Sequence, residues 1–197
     1  STLIDLILRF ARPQRGETLV NGRDAAALSD EQYWSLFAVV DQEPYFFQDT
    51  IRHNLDPAGR HTDTQIVQAL TRCGAADFFQ ERFHGDLNHV IQFDAGDLSG
   101  GERKKLAIAR AILKDAPIVI LDEAAADYDF QAELHLSRMV STGFPDQILI
   151  YITHNYAYLD IFDRVYQLTQ GRLRELTQPE ILDFKTKAFY AHAATGA

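Results

Sequence analysis

Three stretches of the chain are apolar without interruption: FAVV at 37–40, IVIL at 118–121 and ILIYI at 148–152. A half-buried strand alternates polar and apolar positions. Unbroken runs of this length instead predict strands covered on both faces, as in the middle of a parallel sheet. Around them the period lengthens to that of a helix. LSDEQYWSLF predicts a helix capped by Ser29, with acidic residues in its first turn. GGERKKLAIARAILKDA sets Leu106, Ile108, Ala109, Ile112 and Leu113 on one buried side, and QAELHLSRMV predicts a further helix before the last run. Strands and helices in alternation, with strands this apolar, predict a doubly wound α/β core.

The remaining stretches fill in around that core. STLIDLILRF is apolar on nearly every face and predicts a buried helix, halted at Arg12-Pro13 because proline disfavours helix in the residue before it. GETLVNG reads as a short strand leading to an Asn-Gly turn, and DRVYQLTQGRL as an edge hairpin around Gly171. From about Glu43 to Asp97 the character changes. His61 to Cys73 is helical in period, opened by Thr and Asp and ended by Gly74; the rest is polar and aromatic with no clear strand. This segment predicts a mainly helical lobe inserted into the core.

Composition narrows the possible functions. The 197 residues are 46% hydrophobic and 24% charged, the profile of one globular domain or of one domain with an inserted lobe. The net charge of −9 argues against non-specific binding to nucleic acid or anionic lipid. Backbone amides could still form a local phosphate site. A single cysteine, Cys73, excludes a disulfide framework and a multi-cysteine metal site, and fits a reducing compartment. No run of about 18 apolar residues is long enough to span a membrane. The absence of an initiator methionine suggests a piece of a longer chain, or one trimmed during processing.

Polar residues close all three apolar runs: Gln42 the first, Asp122 and Glu123 the second, Thr153 and His154 the third. Ligands of open parallel sheets bind at the carboxyl ends of strands. Adjacent carboxylates there suit an Asp that holds Mg²⁺ and a Glu that polarises an attacking water. They equally suit a cap on the following helix, and a single histidine at a strand end needs no special role. In LSGGERKK, Ser99, Gly100 and Gly101 lead straight into a helix, whose amides and dipole favour an anion such as phosphate. Ser99 with Glu102 also makes a capping box, and both uses draw on the same amides.

LSGGE followed by RKKLAIARAIL resembles the signature and helix of the nucleotide-binding domain of an ATP-binding cassette (ABC) transporter. PIVILDE resembles that family's Walker B strand, Gln42 in VVDQEPYFF its Q-loop, His154 in ITHN its switch histidine and Asp129 its D-loop aspartate. The order and spacing agree over roughly residues 1 to 180. Ser1 and Thr2 then resemble the last two residues of Walker A, so the first strand and the phosphate loop with its lysine are missing from this sequence. The resemblance implies a P-loop NTPase-type α/β fold. Residues 1–42 and 106–180 would form a RecA-like core, 43–105 a helical subdomain carrying the signature, and 181–197 a C-terminal tail.

The resemblance further implies binding and hydrolysis of ATP with Mg²⁺. Ser1, Asp122 and Gln42 would serve the metal, Glu123 would be the base, His154 would hold the terminal phosphate and Thr2 would touch phosphate. Ser99, Gly100 and Gly101 would serve the nucleotide of the opposite cassette in a head-to-tail pair, and Asp129 would also bind nucleotide. IRHNLDP and DEA resemble exporters whose membrane domain shares the polypeptide, which places the cassette at the cytoplasmic face of a membrane. Without the phosphate loop, this chain alone is expected to bind ATP poorly. The alternatives are a truncated, non-catalytic remnant and a non-transport ABC ATPase of DNA repair or translation. Only 55 residues separate Gln42 from Leu98, which leaves no room for the long coiled coil of the repair type, and the acidic chain offers nucleic acid little.

Overall fold

The computed structural model describes residues 2–123, 143–156 and 159–195. Its centre is a parallel sheet in which β4 (Ile118–Asp122) lies between β3 (Phe37–Val40) and β5 (Ile148–Ile152). Phe37 pairs with Ile118 and Ile118 with Ile148, so the strands run in step toward a common exit. Each strand sends alternate residues to opposite faces. Ala38, Val40, Val119, Leu121, Leu149 and Tyr151 meet one apolar cluster, and Phe37, Val39, Ile118, Ile120, Ile150 and Ile152 meet another. Burial on both sides is why the three runs do not alternate. Among the described residues β5 pairs on one side only, and Ile148 at its start is exposed.

The first face is covered by α6 (Gly100–Lys114), which buries Leu106, Ile108, Ala109, Ile112 and Leu113 as its period requires. It also buries Lys104, one turn before Ile108. The second face is covered by α1 (Thr2–Ile7) and α2 (Asp30–Trp34), through Ile4, Leu8 and Tyr33. The first helix is shorter and less buried than its sequence predicts. It stops well before Arg12-Pro13, because Arg9 adopts a left-handed backbone (φ 62°) and sends its guanidinium to the carbonyls of Ala25 and Leu28. Among the described residues of this segment only Ile4 and Leu8, one turn apart, are buried; Phe10 lies exposed beside Trp34.

The turn chemistry reads as expected. Asn21 and Gly22 both take positive φ between β1 (Leu19–Val20) and β2 (Arg23–Asp24), as do Gln170 and Gly171 between β6 (Tyr166–Thr169) and β7 (Arg172–Glu175). Between β3 and α6 the chain builds α3 (Ile51–Leu55), α4 (Asp63–Arg72) and α5 (Ala76–Phe83). Thr62 and Gln65 form a capping box at α4. The sequence does not announce α5, whose first cap is Ala75 with no side-chain bond. A final helix, α7 (Gln178–Thr195), follows the β6–β7 hairpin, and no helix among the described residues is long and apolar enough to cross a membrane. The helix expected from QAELHLSRMV lies outside the described residues.

Cys73 closes α4 with none of its surface exposed, and burial pushes its thiol up to about 12. Thiolate is the reactive form, so the native thiol should be inert. In the folded protein at pH 8, the peptide containing Cys73 should stay unmodified by iodoacetamide and label once denaturant is added. Rapid native labelling, read by peptide mass spectrometry, would contradict the packing described.

Candidate functional site

Because the strands exit in step, their polar ends converge. Gln42 follows β3, Glu123 follows β4 and His154 follows β5. Gln42 Nε2 donates to one carboxylate oxygen of Glu123 at 3.1 Å, and His154 Nε2 reaches the other at 3.1 Å. The His154 side chain is 84% exposed and that of Glu123 only 23%, so the carboxylate is recessed while its partners face solvent. An exposed pair of this kind contributes little to stability. Glu123 itself takes φ 47°, rare for a residue with a side chain, and its amide donates to the carbonyl of Ile152 at 2.9 Å.

Asp122 ends β4 opposite Ile152, and Asp41 follows directly after the last residue of β3, Val40, which pairs with Leu121. Desolvation at the strand ends, together with the neighbouring Asp122 carboxylate, raises the Asp41 carboxyl above its ordinary range. Excess negative charge of this kind is what a divalent cation relieves. Among the described residues no group of three His, Cys, Asp or Glu side chains could hold a metal alone. The oxygens present, a carboxylate from Asp122 and the amide oxygen of Gln42, fit Mg²⁺, which takes few protein ligands and completes its shell with water and phosphate.

The second part of the site is the start of α6. Ser99 N donates to Glu102 at 2.8 Å and Glu102 N to the Ser99 hydroxyl at 3.3 Å, which forms the capping box. Arg82 of α5 binds the Glu102 carboxylate and the Asp97 carbonyl. Burial disfavours the Glu102 charge, but the Arg82 guanidinium and the Ser99 amide outweigh it and hold that carboxyl below its usual range. A side chain built at Gly100 would meet nothing within 4 Å, so the space beside this backbone is open to a ligand. A cleft of about 370 Å³ joins the two parts, lined by Gln42, Gly100, Arg103 and Lys104 among others.

Arg110 fixes the wall of that cleft. Its guanidinium donates to the carbonyls of Asn54 at 2.8 Å and Tyr45 at 3.1 Å and stacks over Phe46 at 4.7 Å, tying the segment after Gln42 to α3 and α6. Burial lowers the pKa of this guanidinium. Sequence reasoning missed Asp41, Lys104 and Arg110. The available signal for Lys104 was its phase, in line with Ile108 and Ala111 on the apolar side of α6. Of the residues proposed from sequence, Gln42, Asp122, Glu123 and His154 meet at the strand exits. Ser99, Gly100 and Gly101 open α6, and Thr2 opens α1. Ser1 and Asp129 lie outside the described residues.

The ABC transporter family model matches residues 1–126. The chain is 32% identical over 196 residues to the ABC transporter ecdL of Aspergillus rugulosus, covering 100% of this chain and 13% of that protein. It is 33% identical over 181 residues to the ATP-dependent lipid A-core flippase of Methylobacillus flagellatus, covering 89% of this chain and 30% of that one. Among solved structures it superposes on a bacterial Atm1-family ABC exporter with ATP bound, with a TM-score of 0.86 and 25% identity, over 98% of this chain and 35% of that one. The chain thus spans less than a third of the length of both curated relatives. With fold, strand-end constellation and signature helix in agreement, the chain belongs to the ABC transporter family.

Proposed function

We propose that the chain is the ATP-hydrolysing cassette of an exporter, acting at the cytoplasmic face of a membrane and paired head to tail with a second cassette. The observation that carries this reading is the convergence of Gln42 and His154 on the Glu123 carboxylate, each at 3.1 Å. A recessed carboxylate with two solvent-facing donors is a base waiting for water and phosphate. When nucleotide enters, Gln42 and His154 turn from Glu123 to the attacking water and the terminal phosphate. Glu123 then accepts the proton of the water. Asp122, with Gln42 and Ser1, would hold Mg²⁺, which when bound supplies charge stabilisation of the phosphates.

Ser99, Gly100 and Gly101 offer the N-terminus of α6 to the nucleotide of the opposite cassette, whereas Thr2 touches phosphate of the nucleotide held by its own cassette; Asp129 also contributes to nucleotide binding. Residues 1–42 and 106–180 serve as the core, 43–105 as the helical subdomain and 181–197 as the tail. A transmembrane domain in the same polypeptide converts cassette closure and reopening into transport. The relatives named as flippase and transporter support this reading.

Replacing Gln42 by Ala tests it. Gln42 is exposed, so the thermal midpoint should be unchanged, whereas Mg-ATP turnover by the intact protein should fall about 10- to 100-fold through lost orientation of the water. Turnover at the wild-type rate would remove Gln42 from the mechanism.

A further inference from the structure

Lys104 is 1% exposed, although Arg103 and Lys105 on either side reach solvent. An ammonium is costly to bury unless it is bonded to a group that gains from it. One such group is the main-chain carbonyl of Glu123, which accepts from Lys104 Nζ at 3.3 Å. The acceptor belongs to the residue that holds φ 47° at the exit of β4. The Glu123 peptide is therefore gripped on both sides, its amide by the Ile152 carbonyl of β5 and its carbonyl by Lys104 of α6. Loosening either grip lets Glu123 relax toward an ordinary backbone and swings its carboxylate away from Gln42 and His154.

Lys104 also lies one turn inside the helix whose first residues face the open space at Gly100, and it lines the same cleft as Gln42 and Gly100. A load on the start of α6 is thus transmitted through one side chain to the backbone of Glu123. We infer that Lys104 is a positioning residue, which aims the Glu123 carboxylate through its carbonyl and links that aim to the phosphate-facing end of α6. This inference rests on the reading of Glu123 as the base.

The test uses Lys104→Met and Lys104→Gln in the intact protein, with Glu123→Gln alongside. Met and Gln are each one atom shorter than Lys, so the pair is matched in length; Met removes the donor and Gln keeps an N–H donor. A misplacement of about 1 Å can cost about 10²-fold in rate, so Lys104→Met should lower kcat for ATP about 10- to 100-fold with KM within about two-fold. Lys104→Gln should recover at least half of that loss on a logarithmic scale. Wild-type kcat in Lys104→Met overturns the inference, as does equal loss in both variants that follows their fall in thermal midpoint. If Lys104→Met does not fold, Lys104→Gln decides: kcat lowered at unchanged KM supports the inference, and wild-type kcat or a rise in KM alone overturns it. If Lys104→Met is inert while Glu123→Gln stops turnover, only the positioning role falls. If Glu123→Gln turns over normally, the base assignment falls and the positioning role falls with it.

Discussion

Glu123→Gln should lower phosphate release by the intact protein about 10²- to 10⁴-fold, the usual contribution of a positioned general base. The substitution is nearly isosteric. The side-chain oxygen of Gln can still accept from Gln42, and the backbone bonds to Ile152 and Lys104 involve no side-chain atom of residue 123. Folding and nucleotide capture should therefore survive while the proton of the attacking water finds no acceptor. ATP should accumulate on the protein, measurable by filtration of radiolabelled nucleotide beside a phosphate-release assay. Release at the wild-type rate would show that another group takes the proton.

Gly100→Val should separate folding from function most sharply. Gly100 has no positive φ, opens α6 and has empty space where a side chain would project. Valine is no worse in a helix than glycine, so the thermal midpoint should shift by no more than about 2 °C. The same side chain would occupy the space that phosphate needs next to the helix amides. Loss of one preorganised donor to a reacting oxyanion costs about 10²- to 10³-fold, and turnover should fall by that order. Normal hydrolysis by a normally folded variant would remove the start of α6 from the nucleotide site.

The sheet was legible because its three strands meet an apolar cluster on each face, which leaves short unbroken apolar runs closed by polar residues. The hairpins were legible because Asn21-Gly22 and Gln170-Gly171 must take positive φ. Ser29, the Thr62-Asp63 pair and the Ser99–Glu102 capping box marked three helix starts, and in the structure all three are capping boxes. The end of α1 was not legible, because Arg9 breaks the helix to reach carbonyls of Ala25 and Leu28 that only the folded chain brings near. The site divides the same way. Its members sit at strand ends and could be proposed from position, and the phase of Lys104 on α6 was readable, but the left-handed turn at Glu123 and the lysine's contact with it depend on how α6 lies across β4. No local pattern encodes a contact between residues 104 and 123.

The in-step exit of β3, β4 and β5 has a consequence for biosynthesis. Gln42 and Glu123 are 81 positions apart along the chain, and His154 comes later still. Parallel strands carry no short hairpin to nucleate their pairing, so each must close a long loop before any contact compensates the lost entropy. During synthesis from the N-terminus, Glu123 therefore emerges beside Gln42 but without the strand that anchors its amide. Until β5 docks, the Glu123 carboxylate has no fixed direction.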